Sequence, residues 1–192
     1  MSKIFLTSDW HFLHDREFVW KVRGFDSVNA MNEAIIERHN AVVSSDDDVY
    51  VLGDLSLGGG GNEVLEAAQR LIERLNGRIH IVLGNHDTPK RIEMYQKCAN
   101  VVEVCGYAAM LRYKGYHFYL SHFPTLTSNL EKETLKQCTI NLFGHTHQSS
   151  NFHEDRPYMY HTGCDSHNCS PVLLDDEIEE MKAKVKECEE QL

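Results

Sequence analysis

The sequence contains no apolar run long enough to cross a membrane, since a spanning helix needs roughly 20 consecutive apolar residues. Its first apolar run covers only Ile4 to Leu6, which is too short for the core of a signal peptide. We therefore expect an unprocessed cytoplasmic protein with no membrane partner.

No pair of cysteines has the C-x-x-C spacing that is typical of metal-binding or redox motifs. In a chain without a secretion signal, the six cysteines are predicted to be reduced thiols. A structural zinc site at Cys164 and Cys169 is the alternative. No second pair of Cys or His side chains stands at the spacing that such a site needs.

Positive charge is scarce, with 19 Lys and Arg against 29 Asp and Glu and a formal net charge of −10. Such a surface repels the phosphate backbone of nucleic acids. The sequence also has no basic or aromatic tract of the kind that holds a single strand. These features argue against extended nucleic-acid binding and against a nuclease.

No proline-rich or serine-rich linker and no long internal repeat divides the 192 residues. A chain of this length fits one domain, because single hydrophobic cores usually serve roughly 100–200 residues. Hydrophobic residues make up 42% of the sequence, which is enough for a packed core. We predict a single domain over residues 1–192.

Short apolar runs alternate with patterns of helical spacing. Buried strands are predicted over 3–8, 48–52, 78–83, 117–121 and 139–143, and further strands over 101–105 and 107–113. Helical spacing over 31–42 and 64–75 gives the first part a β-α-β-α-β order, with Asn76-Gly77 as the stop of the second helix. A charged helix with one apolar face is predicted over 175–191.

A polar cluster follows each of the five buried strands. The clusters are Asp9-Trp10-His11, Gly53-Asp54, Gly84-Asn85-His86-Asp87, His122 and Gly144-His145-Thr146-His147. Ligands of open α/β sheets bind beyond the carboxyl ends of the strands. We therefore expect these side chains to meet in one site.

The local backbone of these clusters also suits a site. Glycine precedes three of them, which allows sharp turns and close approach of the backbone. If the backbone stays extended, strand alternation puts Asp9 and His11 on the same side of the chain, and likewise His145 and His147.

The clusters offer carboxylate, amide and imidazole ligands and no thiolate. Imidazole suits Zn, Fe and Ni, whereas carboxylate and amide oxygens suit Mn and Mg. One carboxylate can bridge two metals roughly 3.5–4 Å apart. Two divalent ions against the charges of Asp9 and Asp54 leave a local charge of about +2, which attracts phosphate although the whole chain is acidic.

The five clusters, in this order over roughly residues 4–147, resemble the signature of the calcineurin-like metallophosphoesterases. The run Ser8-Asp9-Trp10-His11-Phe12-x-His14, with Arg23-Gly24-Phe25 after it, is also similar to a small bacterial and phage branch of that family. The resemblance implies an α/β fold of two packed mixed β-sheets flanked by helices, a four-layer α/β/β/α sandwich.

The resemblance also implies the role of each site residue. One metal would be held by Asp9, His11, Asp54 and His147, and the other by Asp54, Asn85, His122 and His145. Two divalent ions are expected, with Mn as the first choice and Fe, Zn, Ni or Mg as alternatives. His86 would contact phosphate and protonate the leaving oxygen, with Asp87 tuning it, while a metal-bound hydroxide attacks phosphorus.

Other residues near the clusters have two interpretations each. His14 and Arg23 are predicted to contact the substrate, and the alternative is a surface position for both. His161 is expected to be structural, although it could orient a metal ligand. The glycine run 58–61 could form a lip of the site or a solvent-exposed turn.

We expect the substrate to be a phosphodiester or phosphomonoester of a small molecule. A nucleotide pyrophosphohydrolase is the alternative enzyme, because the same metals support it. A non-catalytic scaffold is a further alternative, but it predicts missing ligands, and none is missing here. The C-terminal helix is expected to dock on the sheet, or else to pair with a second subunit, so the protein would be a monomer or a homodimer.

Overall fold

The computed structural model describes residues 2–127 and 134–190 of the chain. Its first sheet contains four parallel strands and one short antiparallel strand at the edge. In spatial order the strands are β4 (Val101–Val104), β3 (Arg78–Val82), β2 (Asp48–Leu52), β1 (Ile4–Thr7) and β9 (Val172–Leu173).

The second sheet contains four strands and is also mixed. In spatial order they are β5 (Ala108–Tyr113), β6 (Tyr116–Ser121), β7 (Thr139–Phe143) and β8 (Met159–His161). β5 and β6 form an antiparallel hairpin through Lys114 and Gly115, whereas β6, β7 and β8 are parallel. In each sheet the parallel strands therefore bring their carboxyl ends to one edge.

The described part of the chain also contains five α-helices and a 3-10 turn over His153–Asp155. The helices are α1 (Glu17–Trp20), α2 (Val28–Val42), α3 (Asn62–Ile72), α4 (Pro89–Tyr95) and α5 (Leu174–Glu190). Ser27 caps α2 by accepting a hydrogen bond from the Ala30 amide, and Pro89 opens α4. No helix among these is long and apolar enough to cross a membrane.

Two hydrophobic clusters hold the layers together. In the first, Ile35 of α2, Ile72 of α3 and Tyr95 of α4 pack against the strand residues Val49 and Ile79, so these helices cover one face of the first sheet. Each fully buried side chain of this size contributes roughly 1.5–3 kcal/mol.

The second cluster lies between the sheets. Leu6 and Leu52 of the first sheet pack with Phe118 and Leu142 of the second. α5 adds Ile178 and its buried neighbours to the same cluster, so this helix docks on the fold as expected. The predicted architecture of two packed mixed sheets with flanking helices is confirmed.

The predicted strands agree with the observed ones to within one residue at each end. The second helix is shorter than predicted, because α3 ends at Ile72 and Leu75 is buried in the turn that follows. Asn76-Gly77 completes that turn, with Gly77 at φ +92°. β8, β9, α1 and α4 were not predicted, since each is too short to show a clear period.

All six cysteines are free, as predicted. Cys164 and Cys169 are both buried in the loop between β8 and β9. In the described part of the chain, no group of three side chains that could hold a metal ion includes a cysteine, which argues against the alternative of a structural zinc site.

Candidate metal centre

The five polar clusters predicted at strand ends come together where the carboxyl ends of both sheets meet. Asp9, Asp54 and His86 follow strands of the first sheet, whereas His122 and His145 follow strands of the second. The site is therefore built on the junction of the two sheets, and each sheet contributes part of it.

Five site residues have a left-handed backbone. Their φ angles are 56° at Asp9, 52° at His11, 56° at Asp54, 68° at His145 and 48° at His147. The backbone is therefore not extended at the Asp-x-His and His-x-His pairs, so the condition for placing each pair on one side by strand alternation is not met. The chain turns sharply at each residue instead, in a conformation that costs free energy and that is enriched at functional sites.

Hydrogen bonds between neighbouring loops hold this strained backbone in place. The amide of Asp9 donates to the carbonyl of Gly53 at 3.1 Å, and the amide of His11 donates to the carbonyl of Asp54 at 3.1 Å. Glycine is required where the loops touch, because a Cβ on Gly84 would overlap the carboxylate of Asp54. The prediction that glycines allow close approach to the site holds here.

The carboxylate of Asp9 presents one free oxygen to two imidazoles. Its Oδ2 accepts hydrogen bonds from the Ser8 hydroxyl at 2.5 Å and the His145 amide at 2.9 Å. Its Oδ1 lies 3.8 Å from Nε2 of His11 and 3.9 Å from Nε2 of His147. Burial works to raise the pKa of Asp9, but the nearby rings of His11, His122 and His147 hold the pKa well below its ordinary value.

Asp54 occupies the middle of the site. Its Oδ1 accepts a hydrogen bond from the His86 amide at 2.9 Å. Its Oδ2 lies 3.4 Å from Nε2 of His122, 3.9 Å from Nε2 of His11 and 3.9 Å from Nε2 of His86. One carboxylate oxygen thus faces histidines of both predicted ligand sets.

The ring of His122 is fixed by a backbone carbonyl. Its Nδ1 lies 2.8 Å from the carbonyl oxygen of Leu52. Because a carbonyl only accepts, Nδ1 carries the proton, and Nε2 of the neutral ring has a free lone pair. That Nε2 lies 2.9 Å from Oδ1 of Asn85 and 3.2 Å from Nδ1 of His145, so the predicted second ligand set converges.

His147 is oriented by Asp165, a residue that the sequence patterns did not single out. Nδ1 of His147 lies 2.8 Å from Oδ2 of Asp165. The pKa of His147 is raised above its ordinary value, mainly because of this hydrogen bond. A carboxylate on one ring nitrogen typically orients the other nitrogen toward a metal. Asp165 follows β8, within Gly163-Cys164-Asp165, just as the other clusters follow their strands. It was not predicted because a strand of only three residues shows no clear apolar run in the sequence.

Arg23 lies behind the site and not on its open side. Its guanidinium donates to both carboxylate oxygens of Asp165 at 3.0 and 2.9 Å, to the carbonyl of Asp9 at 2.9 Å and to the carbonyl of Trp10 at 3.3 Å. The side chain is only 4% exposed. These contacts contradict the prediction that Arg23 binds substrate, because its donors are already used to hold Asp9 and Asp165.

His14 lies beside a predicted ligand. Its ring stacks on that of His11 with centroids 5.2 Å apart, and the two Nδ1 atoms are 3.0 Å apart. Burial and the neighbouring His11 lower the pKa of His14 to about 4. His14 is therefore placed to orient His11, and its contact with substrate stays a prediction.

Asp87 does not touch the ring of His86, contrary to the prediction that it tunes this histidine. Its Oδ2 accepts hydrogen bonds from the amides of Asp54 at 3.0 Å and Gly84 at 2.7 Å, and its Oδ1 accepts one from the Tyr95 hydroxyl at 2.7 Å. Adjacent residues after a strand point in different directions. Asp87 points inward and ties together the loops that carry Asp54 and Gly84.

His86 lies on the open side of the site. Its side chain is 46% exposed, and it has no hydrogen bond from its ring in the described part of the chain. Arg91 holds its backbone by donating to the carbonyl of His86 at 2.9 Å and to that of Gly59 at 3.2 Å. Arg91 therefore connects the glycine run 58–61 to the loop that carries His86, so this run lies beside the site.

His161 is fully buried, its Nδ1 lies 2.7 Å from the Ser166 hydroxyl, and its Nε2 has no hydrogen-bond partner among the described residues. None of its hydrogen bonds in the described part of the chain reaches a predicted ligand. The hydrogen bond to Ser166 fits the structural interpretation, which stays a prediction.

The donor atoms fit a divalent cation. Two overlapping trios have ligand atoms within 4.8 Å of one another: Asp9, His11 and His147 form the first, and Asp9, Asp54 and His122 form the second. Among the described residues, the buried Oδ1 of Asp9 and Nε2 of His11 have no hydrogen-bond partner. Unpaired buried polar atoms are costly, and a cation between them would satisfy both.

Comparison with known proteins agrees with this fold. Residues 2–168 match the calcineurin-like phosphoesterase superfamily domain. The chain is 32% identical over 184 residues to the uncharacterized protein MJ1445 of Methanocaldococcus jannaschii, covering 91% of this chain and 89% of that protein. It is 30% identical over 212 residues to the gene 66 protein of Mycobacterium phage D29, covering 97% and 99%.

A solved structure has the same fold. The protein of unknown function AQ665 from Aquifex aeolicus has a TM-score of 0.67 with this chain, at 21% identity, covering 94% of this chain and 100% of that one. The match to the superfamily domain spans most of the sequence and includes every cluster of the site. The chain therefore belongs to the calcineurin-like phosphoesterase superfamily.

Proposed function

We propose that this protein is a phosphoric ester hydrolase that acts on a phosphodiester or phosphomonoester of a small molecule at a dinuclear metal centre. The observation that carries the proposal is the position of Asp54. Its Oδ2 faces His122 at 3.4 Å and His11 at 3.9 Å, so one oxygen is within reach of both ligand sets. A carboxylate in that position is suited to bridge two ions.

The remaining proposed ligands form two groups. Asp9 lies beside His11 and His147, which would form one set with Asp54, and His122 lies beside Asn85 and His145, which would form the other. When bound, a pair of divalent cations supplies a nucleophilic water near neutral pH and positive charge for the phosphoryl oxygens. Mn²⁺ is the proposed ion, because the set mixes carboxylate and amide oxygens with imidazole.

The chain's own residues prepare the site for a phosphate. Leu52 and Asp165 fix the proton of His122 and His147 on Nδ1, which leaves Nε2 of each ring facing the centre. His86 stands on the open side with a ring free of hydrogen bonds in the described part of the chain. It can contact the phosphate and donate a proton to the leaving oxygen.

A panel of phosphate esters with Mn²⁺ supplied tests this function. It compares bis(p-nitrophenyl) phosphate, p-nitrophenyl phosphate, cyclic nucleotides and a dinucleotide with a pyrophosphate linkage. We expect turnover of at least one ester. Cleavage of the pyrophosphate linkage alone would favour a nucleotide pyrophosphohydrolase, and turnover of none, with two ions bound, would favour a non-catalytic scaffold.

A further inference from the structure

Two phenylalanines stand exposed at the edge of the candidate metal centre. Phe18 of α1 is 70% exposed, and Phe123, directly after His122, is 45% exposed. Large apolar side chains grouped around a site commonly mark a binding surface. Each ring contacts at least one histidine of the site.

Phe18 lies on the side of the first ligand set. Its ring meets that of His14 edge to face, with centroids 5.7 Å apart. His14 in turn stacks on His11, with centroids 5.2 Å apart. A row of three rings therefore leads from a proposed metal ligand outward to solvent.

Phe123 lies on the side of the second ligand set. Its ring centroid is 4.6 Å from that of His145 and 5.1 Å from that of His122. Its carbonyl accepts hydrogen bonds from the hydroxyls of Ser121 at 2.8 Å and Thr125 at 3.0 Å. The backbone under this ring is therefore fixed, although part of the ring remains open.

We propose that Phe18 and Phe123 bind the aromatic substituent of the substrate, so that the preferred substrate is a phosphoester carrying an aryl group or a nucleobase. The inference rests on the proposed function, since it places phosphate between the two ligand sets. Because the two rings lie beside different ligand sets, a phosphodiester bound between these sets would have one substituent near each phenylalanine. Stacking on a fixed aromatic ring favours a planar group over an aliphatic one of similar size.

Binding of phosphonates tests this inference without turnover, because their P–C bond is not hydrolysed. The protein loaded with Mn²⁺ is titrated calorimetrically with phenylphosphonate, cyclohexylphosphonate and methylphosphonate. We expect phenylphosphonate to bind about 10-fold more tightly than methylphosphonate. Cyclohexylphosphonate should fall clearly below phenylphosphonate, and equal affinity of these two would overturn the aromatic claim.

Substitution of the two phenylalanines tests whether they cause the preference for an aromatic group. Phe18→Ala and Phe123→Ala should each reduce the ratio of phenyl to methyl affinity, and the double variant should abolish it. Val42→Ala is the matched control, because Val42 is an exposed apolar residue at the end of α2, next to the amino ends of the strands. A double variant that keeps the wild-type ratio would overturn the inference.

Three diesters that release the same p-nitrophenolate separate the two sources of the aromatic group. They carry methyl, phenyl or thymidine 5′ groups as the second ester. A higher kcat/KM for the phenyl or the thymidine ester than for the methyl ester supports the inference and identifies the source. Equal kcat/KM for all three overturns it while the proposed function stands, whereas hydrolysis of none contradicts the function and the inference with it.

Discussion

His86 differs from the other histidines of the site because its ring has no hydrogen bond in the described part of the chain and is half exposed. His122 and His147 have one ring nitrogen fixed by Leu52 and Asp165, as metal ligands require. A free ring at the open side is instead suited to exchange a proton with a substrate.

Replacement of His86 by alanine should reduce kcat by about 10²–10⁴-fold, as expected for loss of a general acid. Metal content should not change, since His86 is not among the proposed ligands. The loss should be smallest for a p-nitrophenyl ester, whose leaving group needs little protonation, and largest for an alkyl ester. His117→Ala, on β6, serves as the control, and an equal loss for all leaving groups would contradict the acid role.

At the scale of elements, the ends of the strands could be predicted from the sequence, and with them the residues of the site. Each long apolar run ended in a polar cluster, and every predicted ligand lies at the junction of the sheets. Asp165 was missed because β8 has only three residues. The contacts of Asp87 and Arg23 depend on which way a side chain leaves a left-handed or irregular loop, and sequence spacing does not encode that direction.

α2 and the turn after α3 are joined by a buried histidine whose charge state should govern stability in acid. Nε2 of His39 lies 2.8 Å from the carbonyl of Asn76, so it carries the proton, and the buried Nδ1 has no partner among the described residues. Burial lowers the pKa of His39 to about 4 from 6.5. The folded protein therefore resists protonation that the unfolded chain accepts.

The contribution of the neutral His39 ring to the free energy of unfolding is fully present above pH 6.5. It is lost as the pH falls from 6.5 to about 4, because the histidine of the unfolded chain binds a proton at a higher pH than that of the folded protein. It amounts to at most about 3 kcal/mol. We expect His39→Gln to have a smaller difference in unfolding free energy between pH 7.5 and pH 5 than wild type. Urea unfolding of metal-free protein measures it, with His117→Gln as control, and an unchanged difference would contradict this account.

At the scale of the whole molecule, the fold offers a way for an acidic chain to bind the proposed anionic substrate. The formal net charge is −10, so long-range attraction to phosphate has to come from the site itself. Two divalent ions held by the two proposed ligand sets would reverse the local charge. Both sheets are needed for these ligand sets, because some of the proposed ligands follow strands of the first sheet and the others follow strands of the second.

The number of metal ions bound per chain tests the proposed dinuclear centre most directly. Protein loaded with Mn²⁺ and desalted should contain two ions per chain by elemental analysis. Asp54→Ala should lose both, because both ligand sets share this carboxylate, whereas Asp175→Ala, an acid paired with Lys114 on the surface, should keep both. One ion in the wild type, or two ions retained by Asp54→Ala, would contradict the account.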